Sequence, residues 1–154
     1  MIELIKVPRI HSRKRIQMAM DFFAERLMGA RLADKVDIEV VFVKNLLDKT
    51  GNYGSTCWED RPDRSREFSI LIERDLSDNL LLRTLAHEMV HVKQHAKGEL
   101  RCSLRHANLN RWKGETIDDD KVKYRDLPWE KEAFSMERPL VKEFKEYEAR
   151  ASEA

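Results

Sequence analysis

The chain has 154 residues, 42% of them hydrophobic, which suits a single domain built around one core. Charged residues reach 37%, yet 29 Lys and Arg against 28 Asp and Glu leave a net charge of only +1. That balance excludes a global field for holding a polyanion, and no apolar stretch approaches the ~18 residues of a membrane span.

The first residues, "MIELIKVPRIHSRKR", hold no sustained apolar run, and the two cysteines, Cys57 and Cys102, form neither a C-x-x-C pair nor a disulfide framework. A soluble protein of a reducing cytoplasm is expected. Met20, Phe23 and Leu27 follow Ile16 at helical spacing, which predicts a helix from about residue 13, with Ser12 as its N-cap. "VDIEVVFV" alternates and is β-branched, so a strand is expected over about 36–43. The next segment carries Gly51, Gly54 and Pro62 without periodicity and reads as a long loop, with room for a short strand near Cys57 and Trp58. "EFSILIE" (67–73) is a second strand. A helix then starts after Asp75 or Ser77 and ends before Gly98. "NLNRWKGETI" has room for a short strand. Pro128 fits the first turn of a last helix, which Pro139 should kink or break. The expectation is one α+β domain over 1–154, with a core at about 12–138 and a helical tail at 139–154. A small mixed sheet should pack on the helix that follows the second strand.

That helix contains "LAHEMVHVKQH", with three of the chain's five histidines at intervals of four. Helical residues four apart lie ~40° round and ~6 Å along the axis, so His87 and His91 can converge on one ion through bonds near 2 Å. Glu88 projects ~100° away from His87, beside the ion rather than onto it, where it can hold a water. This is the mechanical content of H-E-x-x-H, the signature of zinc metallopeptidases. His95 lies ~12 Å along the axis from His87 and cannot share its ion in a straight helix. It reads as a neighbour of the site or as a surface residue.

A catalytic zinc keeps three protein ligands and an open position. Glu130 and Glu132, in "LPWEKEAF", are the carboxylates available near the start of the last helix. Two residues apart is ~200°, so only one of them can face the ion.

"HEMVH" followed by a later "E-x-x-A" resembles the zincin metallopeptidases that use a glutamate ligand. The nearer resemblance is to small, often phage-encoded, SprT-like metallopeptidases with a "PWE-x-EA" segment, and it covers about residues 66–136. It implies a minimal zincin fold, one Zn2+ held by His87, His91 and Glu130, and hydrolysis of a protein or peptide substrate. Glu132 is the alternative third ligand, as is His106, because SprT-type domains take a downstream histidine. The aspartate that often follows the alanine in related enzymes is replaced by Phe134, leaving a histidine without an assigned partner. The resemblance also implies that the strand before the metal helix forms the upper rim of the cleft and pairs with the substrate.

On this reading Glu88 is the general base, and Tyr124 is the first choice of a second donor to the oxyanion, with His106 and Arg125 as further candidates. Trp112 could cover an apolar substrate side chain but suits a structural role better. Trp129 is expected to pack the last helix on the metal helix. Two other readings are carried. One is a catalytically silent metal-binding module with a regulatory or interaction role. The other is a DNA-associated SprT-like protease, suggested by the basic stretch 101–113 but not favoured by the net charge.

Overall fold

The computed structural model describes residues 1–153. Strand β1 (Ile2–Ile5) leads into helix α1 (Arg13–Lys35), strand β2 (Asp37–Val43), the short helix α2 (Leu46–Thr50) and strands β3 (Gly54–Trp58) and β4 (Glu67–Glu73). Helix α3 (Asp78–Ala96) follows, then three short strands, β5 (Leu100–Cys102), β6 (Leu109–Trp112) and β7 (Glu115–Asp118), and finally helix α4 (Pro128–Glu153). The chain is thus mixed α and β, as expected. No described helix is long and apolar enough to cross a membrane.

The larger sheet has four strands in the order β1-β2-β4-β3. β1, β2 and β4 run parallel, with Ile2 opposite Ile38 and Asp37 opposite Glu67. β3 runs antiparallel to β4, from Gly54 opposite Ile72 to Trp58 opposite Phe68. One face of this sheet is apolar: Ile38, Val40 and Phe42 alternate with Phe68, Ile70 and Ile72, and all six are buried. α1 and α3 cover that face. α1 contributes Ile16, Met20, Phe23 and Leu27, the stripe read from the sequence, and α3 contributes Leu81, Leu82, Leu85 and Met89. Ser12 caps α1 by accepting from the Arg15 amide, and Ser77 caps α3 by accepting from the Leu80 amide. α1 is interrupted at Gly29 (φ 80°, ψ 158°), a conformation open to glycine and closed to most side chains.

Three expectations need correction. The second strand, β4, is internal to the sheet, hydrogen-bonded on both sides, so it cannot receive a substrate strand. The free edges are β1 and β3, and the one lying against α3 is β3, in the segment read as mostly loop. Pro139 does not break the last helix, which runs unbroken through it. The missing backbone hydrogen bond is outweighed by burial beyond the proline, where Leu140, Val141 and Phe144 pack into the core. Finally, "NLNRWKGETI" forms two strands rather than one, and with β5 they make a separate three-stranded antiparallel sheet. This small sheet has its own apolar cluster of Leu100, Leu127 and Trp129, with Trp112 against it. The Trp129 ring packs on the small sheet, 6.3 Å from Trp112. Its carbonyl does bind α3, accepting from Gln94 Nε2 at 2.9 Å.

Candidate metal centre

Every residue of α3 from Thr84 to Ala96 is buried. The helix is therefore enclosed on its polar face as well as its apolar one. Buried polar side chains require partners, so the polar face of α3 must be answered by neighbouring elements. A surface helix carrying incidental histidines does not meet that description.

α4 supplies the main answer. Its first turn places Glu130, 5% exposed, against both histidines. His87 Nε2 lies 3.0 Å from Glu130 Oε1, and His91 Nε2 lies 3.2 Å from Glu130 Oε2. One ligand atom from each of the three residues falls within 4.8 Å of the others, close enough to hold a metal ion. The chemistry of the donor set fits an ion as well. In each imidazole the second nitrogen is already engaged: His87 Nδ1 with Glu137 Oε2 at 2.9 Å, and His91 Nδ1 with Gln94 Oε1 at 2.8 Å. With the rings neutral, those bonds place the proton on Nδ1 and leave both Nε2 lone pairs facing Glu130.

The electrostatics of the metal-free cluster follow from this geometry. Burial disfavours a charged His87, but its hydrogen bonds to Glu130 and Glu137 outweigh that and hold its pKa at about 9. Burial alone would raise Glu130, but the two histidines bring it down to about 2. His91 moves upward for the same reason, the Glu130 bond winning over desolvation.

Glu88 stands apart from the three. It is 5% exposed and turned toward β3, where the Thr56 hydroxyl donates to its Oε2 at 2.6 Å. Burial raises its pKa, with the nearby histidines and Thr56 pulling the other way. β3 comes so close to α3 that a Cβ on Gly54 would lie 2.9 Å from Thr84 Cγ2 and 3.0 Å from Glu88 Cγ and Oε1. No side chain larger than hydrogen fits there without moving the carboxylate.

A cleft of ≈ 330 Å³ opens on this cluster, walled by residues 51–54 before and at the start of β3, by Arg83, His87 and Glu88 of α3, by Tyr124 and Arg125, and by Phe134 and Glu137 of α4. Tyr124 is half-exposed in that wall, 6.5 Å from the Phe134 ring. Burial and the nearby Glu130 carboxylate raise its pKa above the usual phenol range. The Arg125 guanidinium lies over the Phe134 ring in the same wall, 4.6 Å from the ring centre.

The remaining candidates fall outside. Glu132 faces away and accepts from Lys93 Nζ at 2.8 Å and from Gln94 Nε2 at 3.1 Å. His106 is exposed in the β5–β6 loop and is not brought to the cluster, because that sheet packs on Trp129, outside the metal cluster. His95 lies outside the cluster, but it is not a surface residue either. It is buried beside Phe68, and desolvation followed by the nearby His91 brings its pKa down to about 4, so its ring is neutral. The histidine partner missing at Phe134 is supplied by Glu137 instead, one turn further along α4. Arg83 holds that carboxylate from its other oxygen at 3.1 Å. The sequence carried a signal for it: Glu130 and Glu137 are seven apart, on one helical face. No family model, curated protein or solved structure matches the chain, so the site is read from its own residues and contacts.

Proposed function

We propose that the protein is a metal-dependent peptidase, with zinc as its ion and a protein or peptide as its substrate. The observation that carries this reading is the convergence of His87, His91 and Glu130, with Glu88 held next to them but bonded elsewhere. A purely structural zinc closes with four ligands and needs no general base. Two imidazoles and one carboxylate, with a cleft alongside, are the donor set of a catalytic ion. The resemblance to glutamate-ligand zincins and small SprT-like metallopeptidases points the same way, as does the order of sheet, metal helix and ligand helix.

When bound, the ion supplies a Lewis acid that polarises a water and the scissile carbonyl. The chain does the rest. Glu88, its pKa raised by burial, takes the proton of the attacking water and delivers it to the leaving amine. Thr56 holds the carboxylate in place through that transfer. Tyr124 keeps its proton at neutral pH and can donate to the oxyanion as the carbonyl carbon becomes tetrahedral. The extended substrate adds to the free edge of β3 by main-chain hydrogen bonds.

The test is metal content of the purified wild type, Glu130→Gln and Glu132→Gln, followed by cleavage of an unfolded protein by wild type and Glu88→Gln. About one zinc per chain is expected in the wild type and in Glu132→Gln, with loss in Glu130→Gln. Cleavage should disappear in Glu88→Gln while zinc is kept. Zinc bound but no peptide bond cut by the wild type would favour the silent metal-binding module.

A further inference from the structure

A second groove, of ≈ 610 Å³, runs on from the cleft between the first turns of α3 and the middle of α4. Arg83 lines both and joins them, and its buried Nε makes no hydrogen bond. Val141 and Ala149 give the groove apolar surface. Arg138, Lys142 and Lys145 add three cations, against one carboxylate, Glu146. Lys145 donates to Asn79 Oδ1, while Arg138 and Lys142 form no ion pair among the described residues.

This row works against the helix that carries it. Arg138 and Lys142 are like charges four apart, and Lys142 and Lys145 are like charges three apart, spacings at which repulsion destabilises a helix, and Glu146, four after Lys142, offsets only part of it. Two carboxylates elsewhere on the same helix are paired with α1: Glu143 with Arg26 and Glu148 with Arg15. A chain whose net charge is only +1 thus gathers three cations against one carboxylate next to its cleft.

We propose that this groove binds an acidic stretch of the polypeptide substrate and so sets the specificity of the cleft; the inference rests on the peptidase reading and names the substrate class for it. Arg138 lies eight residues beyond Glu130, ~12 Å along the helix, and Lys145 lies ~22 Å along it. An extended peptide rises ~3.3 Å per residue. The acidic side chains therefore sit about four to seven residues from the bond that is cut. Apolar positions between them rest on Val141 and Ala149.

The experiment uses Glu88→Gln protein, which cannot consume its ligand, and fluorescence anisotropy with two labelled peptides of about twelve residues, enough to span cleft and groove. One carries Asp and Glu at one end. The other has Asn and Gln in those places. The acidic peptide is expected to bind about tenfold more tightly at low salt, the sum of a few exposed ion pairs. That advantage should largely vanish in Arg138→Gln/Lys142→Gln, which keeps the helix-forming side chains, and persist in Lys14→Gln, on α1 and outside the groove. Equal affinities for the two peptides, or an advantage unchanged in the double variant, would overturn the proposal. So would displacement of the acidic peptide by a single-stranded oligonucleotide of equal charge at a lower concentration, which would make nucleic acid the occupant. The peptidase reading is judged separately, by zinc content and by cleavage with the wild type. Cleavage with no acidic preference removes the groove and leaves the enzyme. Acidic preference in binding with no cleavage removes the enzyme and leaves the groove.

Discussion

Replacing Glu137 should weaken metal binding, although Glu137 is not placed to touch the ion. Its Oε2 holds His87 Nδ1 at 2.9 Å and its Oε1 is held by Arg83 at 3.1 Å. Glu137→Ala removes both contacts. The His87 Nδ1–H is then a buried donor with no acceptor, at a cost of about 1–3 kcal/mol, and its ring is free to turn away from the ion. Loss of such an outer partner weakens metal affinity by about 10–100-fold. Glu137→Gln keeps the size of the side chain but not its pairing. The amide oxygen can still accept from Nδ1–H, which turns the NH2 toward the Arg83 guanidinium, donor against donor. Exchanging a charge-assisted bond for a neutral one costs about 1 kcal/mol, so about fivefold in affinity. The assay is competition for zinc against a chelating dye of known affinity, with circular dichroism to confirm that each variant is folded. The expected order is wild type, then Glu137→Gln, then Glu137→Ala. A folded Glu137→Ala whose zinc affinity stays within about twofold of wild type would refute the orienting role, given the tenfold minimum expected of it.

The metal-free cluster makes a pH prediction. With His87 raised from 6.5 to about 9, its ion pairs stabilise the metal-free fold fully below pH 6.5 and are lost as the pH rises through 9. Metal needs the neutral rings, so the gap in melting temperature between loaded and chelated protein should widen from pH 6.5 to 9, and a constant gap would contradict the assignment. Gly54→Ala should keep zinc but lower kcat by about 10–100-fold, because the new Cβ meets the general base; an unchanged kcat would mean that Glu88 is not the base. Thr56→Val removes a bond that lowers the Glu88 pKa, so the acid limb of kcat/KM against pH should move upward, and a downward move would reverse the argument. Pro139→Ala should stabilise the protein by about 2 kcal/mol in urea, the regained helix bond less the loss of a stiff unfolded chain; a less stable variant would mean that the helix is not continuous there.

The parts of the site that lie on one helix were legible in the sequence, because helical geometry alone fixes where His87, Glu88 and His91 point relative to one another. Glu130 was legible only through the resemblance, because the rule that residues two apart on a helix diverge admits one of Glu130 and Glu132 without choosing between them. Glu137 and Gln94 were not picked out. Each is an ordinary polar residue until the packing of α3 on α4 puts it against an imidazole. His95 was half-legible: axial distance removed it as a ligand, but only the packing of Phe68 shows that it is buried. The strands with apolar alternation, β2 and β4, were found within a residue of their observed ends. β1, with four residues and only one of them buried, gave periodicity too little to work on.

The hardest element to read was β3, and the reason lies in its task. Alternate residues of a strand face the same side, so Gly54 and Thr56 both look toward α3. A strand lying over a core would carry Val or Ile at such positions and would announce itself by alternation. β3 lies over a carboxylate instead. Gly54 is there because Glu88 and Thr84 leave room for no side chain, and Thr56 because Glu88 needs a donor. Both residues suppress the pattern by which strands are recognised, and glycine also mimics a loop. The requirements that fit this strand to Glu88 are therefore the ones that hid it. β4 next to it faces the core, alternates cleanly, and has no edge left to offer a substrate.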